Sequence, residues 1–145
     1  MRAAYFAGSD DIERVEQMTI LITGGACQGK RAYAEEKFSL TPEEILPADS
    51  EQITEGIRCV DALHLRVKTL IETESNREEA LDRLFAFCKD KIVICDDIFC
   101  GIVPLEPAMR EWREYTGRLL CRIAKQADCV IRMQCGLAQK IKGDL

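Results

Sequence analysis

An α/β domain with a mostly parallel sheet, covered by helices in three layers, is the fold class that this 145-residue chain predicts. Three observations carry that reading. Short apolar, β-branched runs recur at 18–23, 91–95 and 129–133. Segments of helical period separate them, so successive strands are joined by crossovers and pair in parallel. The first run also ends in a glycine loop that opens directly into a helix, the order of a P-loop NTPase-like domain.

The elements follow in chain order. Residues 1–17 are polar and acidic, with Asp10, Asp11, Glu13 and Glu16, and are set apart as an N-terminal extension. Met18 opens the nucleotide-binding domain proper, 18–145. Residues 18–23, MTILIT, read as a buried strand ending at Gly24. Lys30 to Phe38 reads as a helix, with Ala34 and Phe38 four apart on one side. The stretch 39–52 is turn-rich, with Pro42 and Pro47, and has room for a short strand at Ile45 and Leu46. Apolar residues at 60, 63, 67, 70 and 71 give 57–72 a helical period. Arg77 to Cys88 continues helically, with Leu81, Leu84, Phe85 and Cys88 on one stripe.

Lys91 to Cys95 is a second buried strand, closing on Asp96 and Asp97. Pro104 and Pro107 mark the start of a helix that runs to about Ala127. Its inward side is Met109, Trp112, Thr116, Leu119, Ile123 and Ala127. Cys129 to Met133 is the third strand, broken by Gly136.

Composition narrows the function classes. Hydrophobic residues at 47% and charged residues at 31% suit one globular domain. A net charge of -5 argues against a general nucleic-acid binder, although it leaves room for a local basic pocket. No run approaches the ~20 apolar residues of a membrane span. The N-terminus lacks the apolar core of a signal peptide. The expectation is a cytoplasmic protein with neither a membrane nor a nucleic-acid partner. The eight cysteines contain no C-x-x-C and there is a single histidine, which excludes a zinc finger. Several cysteines sit in apolar runs, so buried, reduced thiols are expected rather than a disulfide scaffold.

The chemistry is concentrated in one loop. Gly24-Gly25-Ala26-Cys27-Gln28-Gly29-Lys30 satisfies G-x-x-x-x-G-K. Its amides, the following helix N-terminus and the Lys30 ammonium form a phosphate-binding set for GTP or ATP. The bland alternative is a glycine turn beside an exposed lysine. Arg31 stands where the pattern wants Ser or Thr, whose hydroxyl ligates Mg²⁺. A guanidinium cannot ligate a cation but pairs with phosphate directly. Binding is therefore expected to survive while Mg²⁺-dependent transfer weakens. Cys27 is either an oxidation sensor or a passive loop side chain.

Three segments together resemble the adenosylcobinamide kinase / adenosylcobinamide-phosphate guanylyltransferase family of cobalamin biosynthesis. TGGACQGKRAYAE, from Thr23, is similar to that family's T-G-G-A-R-S-G-K-S-x-x-A-E. The segment 94–142 resembles its S-N-E-V-G-x-G-I-V-P, followed by a helix with R-x-x-x-G-R-x-x-Q and a last strand ending in glycine and lysine. Gly101-Ile-Val-Pro104, Arg113, Gly117-Arg118, Ala127-Asp128 and Gly136 hold those places. Val60-Asp-Ala-Leu-His-Leu is weakly similar to V-D-C-L-T-L-W-L, which makes Asp61 the candidate acidic residue of a Mg²⁺ shell.

The resemblance implies an enzyme that phosphorylates a cobinamide side-chain hydroxyl and then transfers GMP through a guanylylated histidine. It also implies a homo-oligomer, with a trimer within range. That family's histidine lies in an arginine-rich run, and 39–56 contains neither His nor Arg. His64 is thus either the nucleophile or a structural residue of a helix stripe. Asp96 and Asp97 replace an Asn-Glu pair, and ligate metal, orient the substrate hydroxyl or cap a helix. The expected enzyme retains the kinase half, with Lys30 on the triphosphate and Asp61 or Asp97 on metal or hydroxyl. Arg31, Arg113 or Arg118 screens developing charge. The competing reading is a non-catalytic relative that binds a nucleotide or corrinoid as sensor or scaffold.

Overall fold

The computed structural model describes residues 17–50 and 53–145. β1 (Ile20–Gly24) leads through the glycine loop into α1 (Lys30–Phe38), and a 3-10 turn (Pro42–Glu44) precedes β2 (Ile45–Leu46) and β3 (Cys59–Val60). α2 (Leu63–Thr73) and α3 (Arg77–Phe87) then lead to β4 (Ile92–Asp96). α4 (Pro107–Gln126) returns the chain to β5 (Cys129–Gln134), which folds back as β6 (Leu137–Lys142). The six strands make one sheet in the order β2-β3-β4-β1-β5-β6. The first five run parallel and β6 lies antiparallel on the edge. This is the mostly parallel, three-layer α/β arrangement expected from alternating strands and helices.

Strand alternation builds the two outer layers. Ile20 and Ile22 of β1, Ile92 and Ile94 of β4, and Cys129, Ile131 and Met133 of β5 face one way, onto Ala34 and Phe38 of α1. Leu21, Val93, Cys95 and Val130 face the other way, onto α2, α3 and α4 through Val67, Leu84, Leu119 and Ile123. Burying both faces makes β1, β4 and β5 nearly continuous apolar runs. Among the described residues, no helix is long and apolar enough to cross a membrane.

The structure differs from expectation in four places. The helix expected over 57–72 begins only at Leu63. Cys59 and Val60 are fully buried and pair as a strand with β2 and β4, and Ala62 turns the backbone left-handed (φ 48°) before the helix. Pairing on both sides outweighed the helical period. β6 was not anticipated, because all six of its residues are exposed and carry no buried pattern. All eight cysteines are free, but only Cys59, Cys88, Cys95 and Cys129 are buried, since Cys27, Cys100 and Cys135 lie in loops and Cys121 on the outside of α4. Burial pushes the Cys59, Cys88 and Cys95 thiols up to about 12. Asp97 caps no helix, because α4 begins ten residues later at Pro107. The extension assigned to 1–17 lies, save Gln17, outside the described residues.

Candidate functional site

Parallel pairing sends the loops after β1, β3, β4 and β5 to the same sheet edge, where ligand sites of α/β domains form. The register places Gly24 level with Asp96 on one side and Met133 on the other. Gly24 (φ 145°) has no room for a side chain, because a Cβ there would collide with the Met133 carbonyl. Its own carbonyl accepts the Asp97 backbone N–H at 2.8 Å. Gly29 (φ 86°) caps α1, and Cys27 (φ 57°) also takes a left-handed backbone. Gln28 fastens the loop to the β5–β6 turn: its Oε1 accepts Cys135 N–H at 2.6 Å and its carbonyl accepts Gly136 N–H at 3.2 Å.

Lys30 is the first residue of α1, and it is only 6% exposed. A buried ammonium requires partners. Lys30 Nζ donates to Gly25 O at 2.5 Å and forms an ion pair with Asp96 Oδ1 at 2.7 Å. Asp96, which the sequence offered with Asp97 for metal, hydroxyl or helix cap, is instead the direct partner of the loop lysine. Its signal was its place as the last residue of a central strand.

Arg31 points away from Lys30's partner. Its Nε pairs with Glu35 Oε1 at 2.9 Å, and its NH1 with Asp61 Oδ2 at 3.3 Å. Asp61 Oδ1 accepts Ala62 N–H at 2.8 Å. The acidic residue proposed for a metal shell therefore faces a guanidinium rather than a hydroxyl, and this donor set does not fit Mg²⁺. Among the described residues, no three His, Cys, Asp or Glu side chains are grouped to hold a metal.

His64, on the first turn of α2, is 7% exposed. Its Nδ1 accepts the Asp96 backbone N–H at 3.2 Å, and its Nε2 lies 3.7 Å from Asp96 Oδ2. Trp112 Nε1 donates to His64 O at 2.6 Å. Burial holds the imidazole below its ordinary range; Asp96 opposes that shift and Lys30 adds to it.

Asp97 begins the loop over α4. Its Oδ1 accepts Phe99 N–H at 3.1 Å, its Oδ2 lies 3.3 Å from Cys100 Sγ, and Arg132 NH2 approaches to 3.6 Å. Burial pulls the carboxyl upward, but these donors outweigh it and hold Asp97 below the usual carboxylate range. Gly117 leaves space for the Phe99 ring, and Arg113 donates to Cys100 O at 3.3 Å. Arg118 instead pairs with Glu78 of α3 at 3.0 Å. Of the three arginines considered for charge screening, Arg31 lies on the glycine-loop side and Arg113 anchors the neighbouring loop, while Arg118 is engaged with α3.

The family model for cobinamide kinase / cobinamide phosphate guanyltransferase matches residues 37–141. That stretch takes in His64, Asp96, Asp97 and the whole of α4, and it begins after the glycine loop. No curated protein matches the chain. With well over half of its residues matched, the chain belongs to the cobinamide kinase / cobinamide phosphate guanyltransferase family.

Proposed function

We propose that this chain is a nucleoside-triphosphate-dependent kinase for a cobinamide side-chain hydroxyl, retaining the kinase half of its family's activity. One observation carries the reading: the glycine loop holds a buried lysine at the start of α1, with its ammonium drawn inward by Gly25 O and Asp96. Gly24 to Arg31 bind the triphosphate of GTP or ATP through loop amides, the helix N-terminus and Lys30.

Transfer forms a bond between the acceptor oxygen and the γ-phosphorus and breaks the bond to the β–γ bridging oxygen. The nucleoside diphosphate leaves and the hydroxyl proton is released. Asp97, held ionised, orients the hydroxyl. Arg31 exchanges Asp61 for phosphate oxygens and takes over charge neutralisation.

The pairing of Arg31 with Asp61 also favours a second reading, a nucleotide- or corrinoid-binding relative that performs no transfer. Incubation with cobinamide and γ-labelled ATP or GTP separates the two. Labelled cobinamide phosphate is the expected product. Tight nucleotide binding without labelled product establishes the sensor or scaffold reading instead.

A further inference from the structure

His64 is the chain's one histidine, and both of its ring nitrogens address a single residue. Nδ1 accepts the backbone N–H of Asp96 at 3.2 Å. In the neutral ring the proton is then on Nε2, which faces the Asp96 carboxylate at 3.7 Å. On the far side, the Trp112 bond to His64 O and the ring separation of 6.2 Å fix α2 against α4 at this point. Asp96 Oδ1 in turn holds Lys30 Nζ at 2.7 Å, and Gly25 O takes a second ammonium N–H. An ammonium has three donors, so one is left for a ligand.

We propose that His64 is a positioning residue: its imidazole fixes the Asp96 carboxylate, and Asp96 in turn fixes the heading of the Lys30 ammonium. The torsion that turns a carboxylate is broad and soft, so without a neighbour Asp96 rotates and the lysine tethered to it follows. With Nδ1 bonded to the Asp96 backbone N–H, Nε2 facing the Asp96 carboxylate and the ring only 7% exposed, His64 is poorly placed to form a phosphoramidate, so the same geometry argues against covalent work. The ligand in this proposal is the triphosphate of the proposed function, but the geometry exists without it.

Two measurements test it. The first is the ¹⁵N spectrum of the imidazole in ligand-free protein at neutral pH, unambiguous because there is one histidine. The second is calorimetric titration with GTP and ATP of the parent, His64→Leu, His64→Asn, Asp96→Asn and the double variant His64→Leu/Asp96→Asn. The expected spectrum is that of the Nε2–H tautomer. His64→Leu and Asp96→Asn should each lose affinity on the order of tenfold, and the double variant should lose no more, because both act through one carboxylate. His64→Asn, which keeps an acceptor for the Asp96 backbone N–H but not the Nε2 side that faces the carboxylate, should recover little of the His64→Leu loss.

An Nδ1–H tautomer, additive losses in the double variant, or a His64→Leu protein as tight as the parent overturns the proposal. A parent that binds neither nucleotide overturns the proposed function, and the tautomer alone then decides the role of His64. If His64→Leu does not fold, the Nε2 resonance in Asp96→Asn replaces it: a displaced signal supports the coupling and an unmoved one overturns it.

Discussion

Arg31 NH1 lies 3.3 Å from Asp61 Oδ2, so a positive side chain occupies the position from which a loop hydroxyl and an acidic residue would share a cation. Nucleotide affinity should therefore change little when Mg²⁺ is withheld, and Arg31→Ser should introduce a Mg²⁺ requirement. Calorimetric titration of both proteins with GTP and ATP, with and without the ion, checks this. A parent that depends strongly on Mg²⁺ would show that Asp61 or Asp97 holds the ion unaided.

Lys30→Ala removes the charged contact that the loop offers a phosphate. Triphosphate binding should weaken by about 1.5–3 kcal/mol, the range for a charge-assisted hydrogen bond. Equal affinity in mutant and parent sinks the nucleotide reading.

Gly24→Ala tests how closely the loop approaches β5. The added methyl meets the Met133 carbonyl, which is backbone and cannot turn aside, and φ is 145°. A stability loss of about 3 kcal/mol is expected from strain and overpacking together. Gly56→Ala, at φ 93° with open space around it, should lose only about 1 kcal/mol. Urea unfolding of the two variants gives the comparison, and similar losses would contradict the close approach.

The covalent step should be absent. His64 is buried and bonded at Nδ1 to Asp96. Radiolabelled GTP, followed by denaturation and acid treatment, should leave no acid-labile label on the protein. Label that disappears in His64→Ala would revive the guanylyltransferase half.

His64 also makes a pH prediction. Burial, partly opposed by Asp96, holds its pKa below the ordinary 6.5. The unfolded chain then binds more protons between that lower folded value and 6.5. Stability is full above 6.5 and falls as the pH drops through this window. The melting temperature of the parent should decline from about pH 7 to pH 5 more steeply than that of His64→Asn. Asp97 and Glu44 are shifted downward from their ordinary 3.8 and 4.5, so their contribution is lost only at more acid pH. Equal slopes for the two proteins count against a buried neutral imidazole.

Much of this protein was legible one segment at a time. The β-branched runs foretold β1, β4 and β5, the spacing of Ala34 and Phe38 foretold α1 with its bounds, and the proline pair marked the way into α4. Gly24, Gly29 and Lys30 announced a strand–loop–helix because glycine dihedrals and helix starts are local properties. The family was legible too, through Gly101 to Pro104 and the arginines and glycine of α4. β6 and the Cys59–Val60 strand escaped, the first because an exposed edge strand has no buried pattern, the second because two residues are too few to show a period.

Tertiary structure alone decided what each functional side chain touches. Asp96 rather than Asp97 meets Lys30, because parallel register sets Gly24 level with Asp96. Asp61 meets Arg31, thirty residues earlier in the chain, because β3 ends beside the start of α1. His64 turns both nitrogens to Asp96, because the start of α2 packs against the end of β4 and under Trp112. Dihedral preference and hydrophobic period are written along the chain, and they determined the fold class, most elements and the loop. Register and helix packing depend on which distant surfaces are buried together, and they determined the partners of Lys30, Arg31 and His64.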